Sequence, residues 1–421
     1  MTGLLLKASI RLLMFALACV AVLSGCPSPS IVYPTDKVPA HVVGAENWIP
    51  ISNLDSSWNV EFDQVLVVSS TQLLGIGRVT NTALDTSALI RTTDGGKTWV
   101  YAPLIPDGSD LASVQLSRRL VIGPGKRIVL LQGFKSKSLL RSLDGETWVL
   151  IPTSVSSVAG AVSRVWITST GTVFVGLVET LDCCSPGGSG TPQAPTRISF
   201  EIAKSTTDGN SWTSLAAPTP CVDATDLGPP RVGGGTDSSI AFLCRGPFPG
   251  GHIYRTDLGS SNTADLGPFP VGDIDFRVPS PFTLSNGDVL LETREASASD
   301  ENGPVDRYRL IIYPFNDPTH PVVVFDQTTN AFAPGLNNLT IPPDGPSFFS
   351  FNHDVYSSTD GGHTWNPLFH VEDVISTSIS VLSESFAAVV TDVGHLTITT
   401  DGGSTWCDIS PISNAACRPK R

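Results

Sequence analysis

Apolar residues in this chain come in short runs, and the runs come in sets. Val374-Ile375-Ser376-Thr377-Ser378-Ile379, Ser385-Phe386-Ala387-Ala388-Val389-Val390, His395-Leu396-Thr397-Ile398 and Cys407-Asp408-Ile409 follow one another, separated by short stretches rich in polar residues and glycine. Runs this short, bounded by turn formers, read as strands. A second set runs Leu120-Val121-Ile122, Ile128-Val129-Leu130-Leu131 and Ser138-Leu139-Leu140-Arg141. Each set predicts four short strands, the last of them entered through a turn.

That turn is nearly the same each time. Thr399-Thr400-Asp401-Gly402-Gly403-Ser404-Thr405-Trp406 recurs as Thr92-Thr93-Asp94-Gly95-Gly96-Lys97-Thr98-Trp99 and as Ser358-Thr359-Asp360-Gly361-Gly362-His363-Thr364-Trp365. Two copies read as one residue shorter: Ser142-Leu143-Asp144-Gly145-Glu146-Thr147-Trp148 and Thr206-Thr207-Asp208-Gly209-Asn210-Ser211-Trp212. An Asp opening a turn accepts hydrogen bonds from backbone N–H groups ahead of it, and glycine takes the positive φ that a tight turn needs. Asp94, Asp144, Asp208, Asp360 and Asp401 are therefore expected to staple their own turns. Trp99, Trp148, Trp212, Trp365 and Trp406 are expected to pack beneath them, each N–H seeking an acceptor. Arg255-Thr256-Asp257-Leu258-Gly259-Ser260-Ser261-Asn262 is a degenerate copy without the Trp, and Phe315-Asn316-Asp317-Pro318 has the place but not the motif. With these two the turns recur about 40 to 65 residues apart, the period of a propeller blade.

These turns resemble the Asp-box, or BNR repeat, of sialidases and related β-propellers. The resemblance implies an all-β chain forming a single β-propeller of four-stranded blades. Counting units gives seven, with six or eight as the neighbouring counts. A blade cannot cover its own faces, so blades must stack into a closed ring. Closure leaves no free edge demanding a partner, and the expectation is a monomer.

The chain has 421 residues, of which 15% are charged, with 38 Gly and 33 Pro. Its net charge of −13 argues against nucleic acid or an anionic membrane face as a partner. The first residues are a targeting segment. Lys7 and Arg11 precede an apolar stretch from Leu12 to Leu23, shorter than the roughly 20 residues of a membrane span. Leu23-Ser24-Gly25-Cys26 resembles a bacterial lipobox, which implies lipidation of Cys26 and a place in the cell envelope outside the cytoplasm. The expected divisions are a signal peptide over 1–25, a Pro-rich tether over 26–60 and the propeller over 61–421. Trp48 and Trp58 are expected to dock the end of the tether on the folded body. The remaining cysteines suit disulfides in an exported protein. Cys407 with Cys417 and Cys221 with Cys244 are the expected pairs. Adjacent Cys183 and Cys184 either bond each other or pair elsewhere, within an expected surface loop from Leu181 to Pro195.

Candidate chemistry rests on Asp275-Phe276-Arg277-Val278-Pro279, which is similar to the Phe-Arg-Ile-Pro motif of sialidases. The resemblance implies that Arg277 clamps a substrate carboxylate and that Asp300 is the general acid. It also implies a Tyr nucleophile beside a Glu and two further arginines. Tyr308, Tyr313, Tyr356, Glu372 and Glu384 are available, none in the family's pattern. The motif stands in the fifth unit, whereas the family carries it in the first. No nucleophile elbow or P-loop is present, and Gly233-Gly234-Gly235 is expected to be a turn. No metal site and no cofactor are implied. Two functions follow: a non-catalytic extracytoplasmic module that binds protein or glycan, like the propellers related to photosystem assembly factors and Vps10-type receptors, or an exo-α-sialidase using Arg277 and Asp300.

Overall fold

The structure, a computed structural model, describes residues 47–82, 85–104, 119–124, 128–131, 138–152, 161–180, 198–215, 232–245, 251–260, 262–268, 281–300, 303–330, 336–341, 346–371, 376–391, 393–411 and 417–419. Contacts divide the chain into two units, and every described residue belongs to the larger, Ala40–Leu181 with Pro195–Arg421. The signal segment, Cys26, Cys183, Cys184 and Cys221 lie outside the described residues.

The described part is built of strands. The first sheet holds β1 (Ile49–Pro50), β2 (Asn59–Val67), β3 (Leu73–Thr80), β4 (Asp85–Thr92) and β5 (Val100–Pro103). The second holds β6 (Arg119–Ile122), β7 (Ile128–Leu131), β8 (Ser138–Ser142) and β9 (Val149–Pro152). The third holds β10 (Ala161–Ile167), β11 (Val173–Thr180), β12 (Ile198–Ser205) and β13 (Thr213–Leu215). The fourth holds β14 (Ser239–Arg245), β15 (Gly251–Asp257) and β16 (Thr263–Pro268). The fifth holds β17 (Phe282–Thr283), β18 (Val289–Asp300), β19 (Gly303–Tyr313) and β20 (Val322–Asn330). The sixth holds β21 (Leu336–Thr340), β22 (Ser347–Phe351), β23 (Asp354–Ser358) and β24 (Asn366–His370). The last holds β25 (Ser376–Val381), β26 (Ala387–Thr391), β27 (Leu396–Thr399), β28 (Thr405–Asp408) and β29 (Cys417–Pro419). Strand order follows the sequence except for β1, which lies outside β5, and every pairing between strands is antiparallel.

Successive side chains on a strand point to opposite faces, so an inner strand buried on both faces is apolar at nearly every position. β26 is such a strand. Val389 packs toward the sixth sheet, whereas Ala388 and Val390 pack toward the first. β3 divides likewise, with Leu73 toward the last sheet and Leu74 and Ile76 toward the second. Each of the remaining sheets shares an apolar core with the next one. The core between last and first sheets closes the cycle, with Phe62, Ile90 and Trp99 against Phe386, Ala388 and Ile398. First strands meet one another: β2 touches β25 and β6, β10 touches β6, and β21 touches β25. Side chains tie these strands together. Val65 and Val67 donate their N–H groups to the Ser378 and Ser380 hydroxyls at 3.3 and 2.9 Å, and the Gln64 amide bridges both backbone groups of Leu120. A closed cycle of sequential antiparallel meanders is a β-propeller.

The expectation of seven four-stranded units needs one correction. Six sheets have four or more strands; the fourth has three among the described residues. Where its first strand would stand, Gly234 bridges in parallel to Phe282 and Gly235 bridges to Ile240. Gly233–Gly235 is therefore not the expected turn but a stretch of backbone between two sheets. A Cβ at Gly234 would stand 3.2 Å from the Phe282 ring, and one at Gly235 would stand 2.8 Å from the Ser239 carbonyl oxygen.

Both ends of the described part extend a sheet. β1 pairs outside β5, so the expected boundary at 61 falls within β2. Trp48 donates its indole N–H to the Glu146 carbonyl at 2.9 Å under the Arg91 guanidinium, and Trp58 packs on the first core. β29 pairs outside β28 through the expected Cys407–Cys417 disulfide. Cys244 is also disulfide-bonded, while its expected partner Cys221 is outside the described residues. Outer edges remain on the other sheets, so closure covers sheet faces rather than removing every edge.

Candidate functional site

The repeated turns are the first place to look, and their carboxylates are already engaged. Asp94 accepts from the Thr98 N–H at 2.9 Å and from the Thr98 hydroxyl at 2.6 Å, with Thr92 donating at 2.8 Å. Asp360 and Asp401 repeat the pattern with Thr364 and Thr405. Asp144 accepts from Glu146 and Thr147 N–H groups. Burial pushes the Asp94, Asp144 and Asp360 carboxyls upward, but these hydrogen bonds outweigh it and hold all three below the ordinary carboxylate range. Asp401 is held low by the Thr405 N–H first and its hydroxyl second.

The copy at Asp208 is different. Measured back from Trp212 it has full length, with Thr207 in the Asp position and Asp208 where the first Gly stands elsewhere. The Ser211 N–H accordingly bonds the Thr207 hydroxyl at 2.9 Å, and Asp208 has a φ of +57°. The Thr207 hydroxyl, which also meets the Ser211 hydroxyl at 2.8 Å, staples this turn.

Each Trp packs into the seam with the preceding sheet rather than only beneath its own turn. Trp99 donates to both Gly96 and Ile409 carbonyls at 3.0 Å, and Trp406 to the His370 carbonyl at 3.1 Å. The Trp148 and Trp365 N–H groups have no acceptor among the described residues, against expectation.

Of the two catalytic candidates, Arg277 lies outside the described residues. Asp300 ends β18 opposite Gly303, and its side chain is likewise not described. Tyr313 is buried between the fourth and fifth sheets, its hydroxyl pushed up to about 12 by that burial. Tyr356 stacks on Phe349 at 5.1 Å. Glu384 is exposed in the β25–β26 turn of the last sheet, and Glu372 is outside the described residues.

The structure instead gathers residues on the β18–β19 hairpin. Antiparallel register sets Glu292 opposite Leu310, Arg294 opposite Tyr308 and Ala296 opposite Asp306. Period-two alternation puts Glu292, Arg294, Asp306 and Tyr308 on the face of Leu290 and Leu310, which looks toward the sixth sheet. Arg294 donates from Nε and Nη2 to one Asp306 oxygen at 3.0 and 2.6 Å, and its guanidinium carbon is 5.7 Å from the Tyr308 ring. Asp306 is 3% exposed and Tyr308 6%, the latter edge-on to Phe351. On the opposite face Arg309 pairs with Glu295 and Arg307 with Asp326. The three arginines therefore do not converge. Glu292 is half-buried and has no hydrogen bond or ion pair among the described residues, and burial pushes its carboxyl up to about 7. Among the described residues no group of three or more His, Cys, Asp or Glu could hold a metal ion.

Fold and site together define an all-β propeller with one charged hairpin set into a seam. No family model matches the chain, and no curated protein does. Among solved structures it is similar to one described as YCF48 bound to D1 peptide, at 13% identity over 83% of this chain and 98% of that chain, TM-score 0.44. It is also similar to oligogalacturonate lyase in complex with manganese, at 11% identity over 82% and 90%, TM-score 0.46. A third is Pyrococcus horikoshii acylaminoacyl peptidase, at 9% identity over 83% of this chain and 52% of that chain, TM-score 0.48. None of these values speaks to ligand or reaction.

Proposed function

We propose that this chain is a lipid-anchored, extracytoplasmic β-propeller of the Asp-box kind that binds a protein or glycan without turning it over. In this reading Cys26 carries the anchor and the three-stranded fourth sheet serves as a seventh blade. The observation that carries it is the use already made of the charged residues. The turn carboxylates of Asp94, Asp144, Asp360 and Asp401 are bonded within their own turns. The described arginines of the charged hairpin are each paired to an acid. Such groups set architecture rather than chemistry on a substrate.

Cys26→Ser should move the protein from the membrane fraction to the soluble exported fraction. A variant that stays with the membrane overturns the anchor. Purified protein should not hydrolyse a fluorogenic sialoside. Turnover abolished by Arg277→Ala or Asp300→Ala would overturn the non-catalytic reading in favour of the second one, a sialidase-like glycosidase. One observation favours that second reading: Glu292, Arg294 and Tyr308 share a strand face.

A further inference from the structure

On the β18–β19–β20 hairpin the described charges pair off with one exception. Arg294 takes Asp306, Arg309 takes Glu295 and Arg307 takes Asp326. Glu292 is left over, without a hydrogen bond or counter-charge among the described residues. It is half-buried and so remains reachable. Its seam is strongly apolar: Leu290, Leu310, Tyr308, Phe325, Leu336, Phe349 and Phe351 form the core there. A carboxylate so placed has lost much of its hydration and has gained no partner in exchange. The described elements packed around it offer no free cation. β17, β21 and β22 carry no titratable residue. On β18 and β19 the groups facing the same way are Arg294, spent on Asp306, and the Tyr308 phenol. On β20, Asp326 is held by Arg307, and on β23 Tyr356 packs on Phe325 and Phe349 while Asp354 meets His370.

We propose that Glu292 is the anchor for a cationic group of the ligand, an amine or guanidinium that enters the seam between fifth and sixth sheets and pairs the charge left over among the described residues of this hairpin. Tyr308, beside Arg294 on the same strand face and edge-on to Phe351, makes the seam aromatic as well as apolar. A chain of net charge −13 draws such a group toward it. This rests on the binding reading above and names the chemistry of what is bound. The cation either belongs to a Lys or Arg side chain of a polypeptide or is a free small amine.

Binding should carry a pH signature, because the cation needs the ionised carboxylate. For a carboxyl near 7, the ionised fraction rises about tenfold between roughly pH 6 and pH 8. The probes are acetyl-Gly-Arg-Gly-amide and acetyl-Gly-Lys-Gly-amide, with methylguanidinium and n-propylamine as the free cations, titrated by calorimetry into the full chain. Tightening by about tenfold over that range, lost in Glu292→Gln, is the expected result. The peptide arm outrunning the free-cation arm assigns a polypeptide source; equal arms assign a small amine. Binding that is independent of pH, unchanged in Glu292→Gln, or absent for all four probes overturns the anchor. Side-chain 13C NMR of Glu292 in the unsubstituted chain gives a reading that no variant can spoil. Its titration midpoint should fall when probe is added, and an unmoved midpoint refutes the proposal. None of these results touches the sialoside or membrane-release experiments, so the two readings fail separately.

Discussion

Gly96 has a φ of +92°, and a Cβ there would stand 2.9 Å from Ile409 across the last seam. Both facts forbid a side chain, one through backbone strain and the other through overlap. Gly96→Ala should cost about 1 to 3 kcal/mol in urea unfolding. Glu292 runs the other way. Its folded value is raised from 4.5 to about 7, so the folded state binds the proton more tightly than the unfolded chain. The penalty is absent below the unfolded value, grows as pH rises toward 7, and is complete above that. Glu292→Gln should therefore stabilise the protein by up to about 3 kcal/mol at pH 8 and by almost nothing at pH 4, read from denaturation midpoints. The depressed carboxylates Asp94, Asp144 and Asp360 contribute stability that is complete above the ordinary carboxylate value and is lost as pH falls through their lowered folded values. The stapling Asp residues were legible because their chemistry is local, a side chain bonding its own turn. Asp208 was misplaced by one position because the turn there substitutes a Thr hydroxyl for the carboxylate. Glu292 was invisible because its isolation depends on which neighbouring sheet its strand face meets.

At the scale of elements, the strands were readable from their apolar runs, and the repeated turn marked where each fourth strand begins. The glycine run at 233–235 was not, since nothing local distinguishes a turn from a stretch that must approach another sheet's backbone. The chain ends were partly readable. Cys407 and Cys417 lie directly opposite on β28 and β29, and the bond holds the added strand to its sheet. Cys417→Ser should lower stability by about 2 to 4 kcal/mol. Hydrogen exchange should then quicken in β28 before it does in β26, which is buried at every position. Equal quickening in both would mean that β29 contributes nothing particular to its own sheet.

At the scale of the molecule, the repeat makes sense only once the sheets are assembled. Each repeated Trp seals the seam with the sheet before it, so the motif that staples a turn also joins neighbours. For Trp99 the sheet before it is the last in the chain, and its indole N–H reaches the Ile409 carbonyl across 310 positions of sequence. The sequence showed repetition and therefore implied stacking, but it could not show that the first Trp and the final strands form one contact. The most direct measurement of closure is an NOE between the Ile409 methyl and the Trp99 indole ring in methyl-labelled protein. The contact should be present and should vanish together with global unfolding. Folded protein that lacks it, with the Trp99 indole proton exchanging freely, would contradict the closed ring.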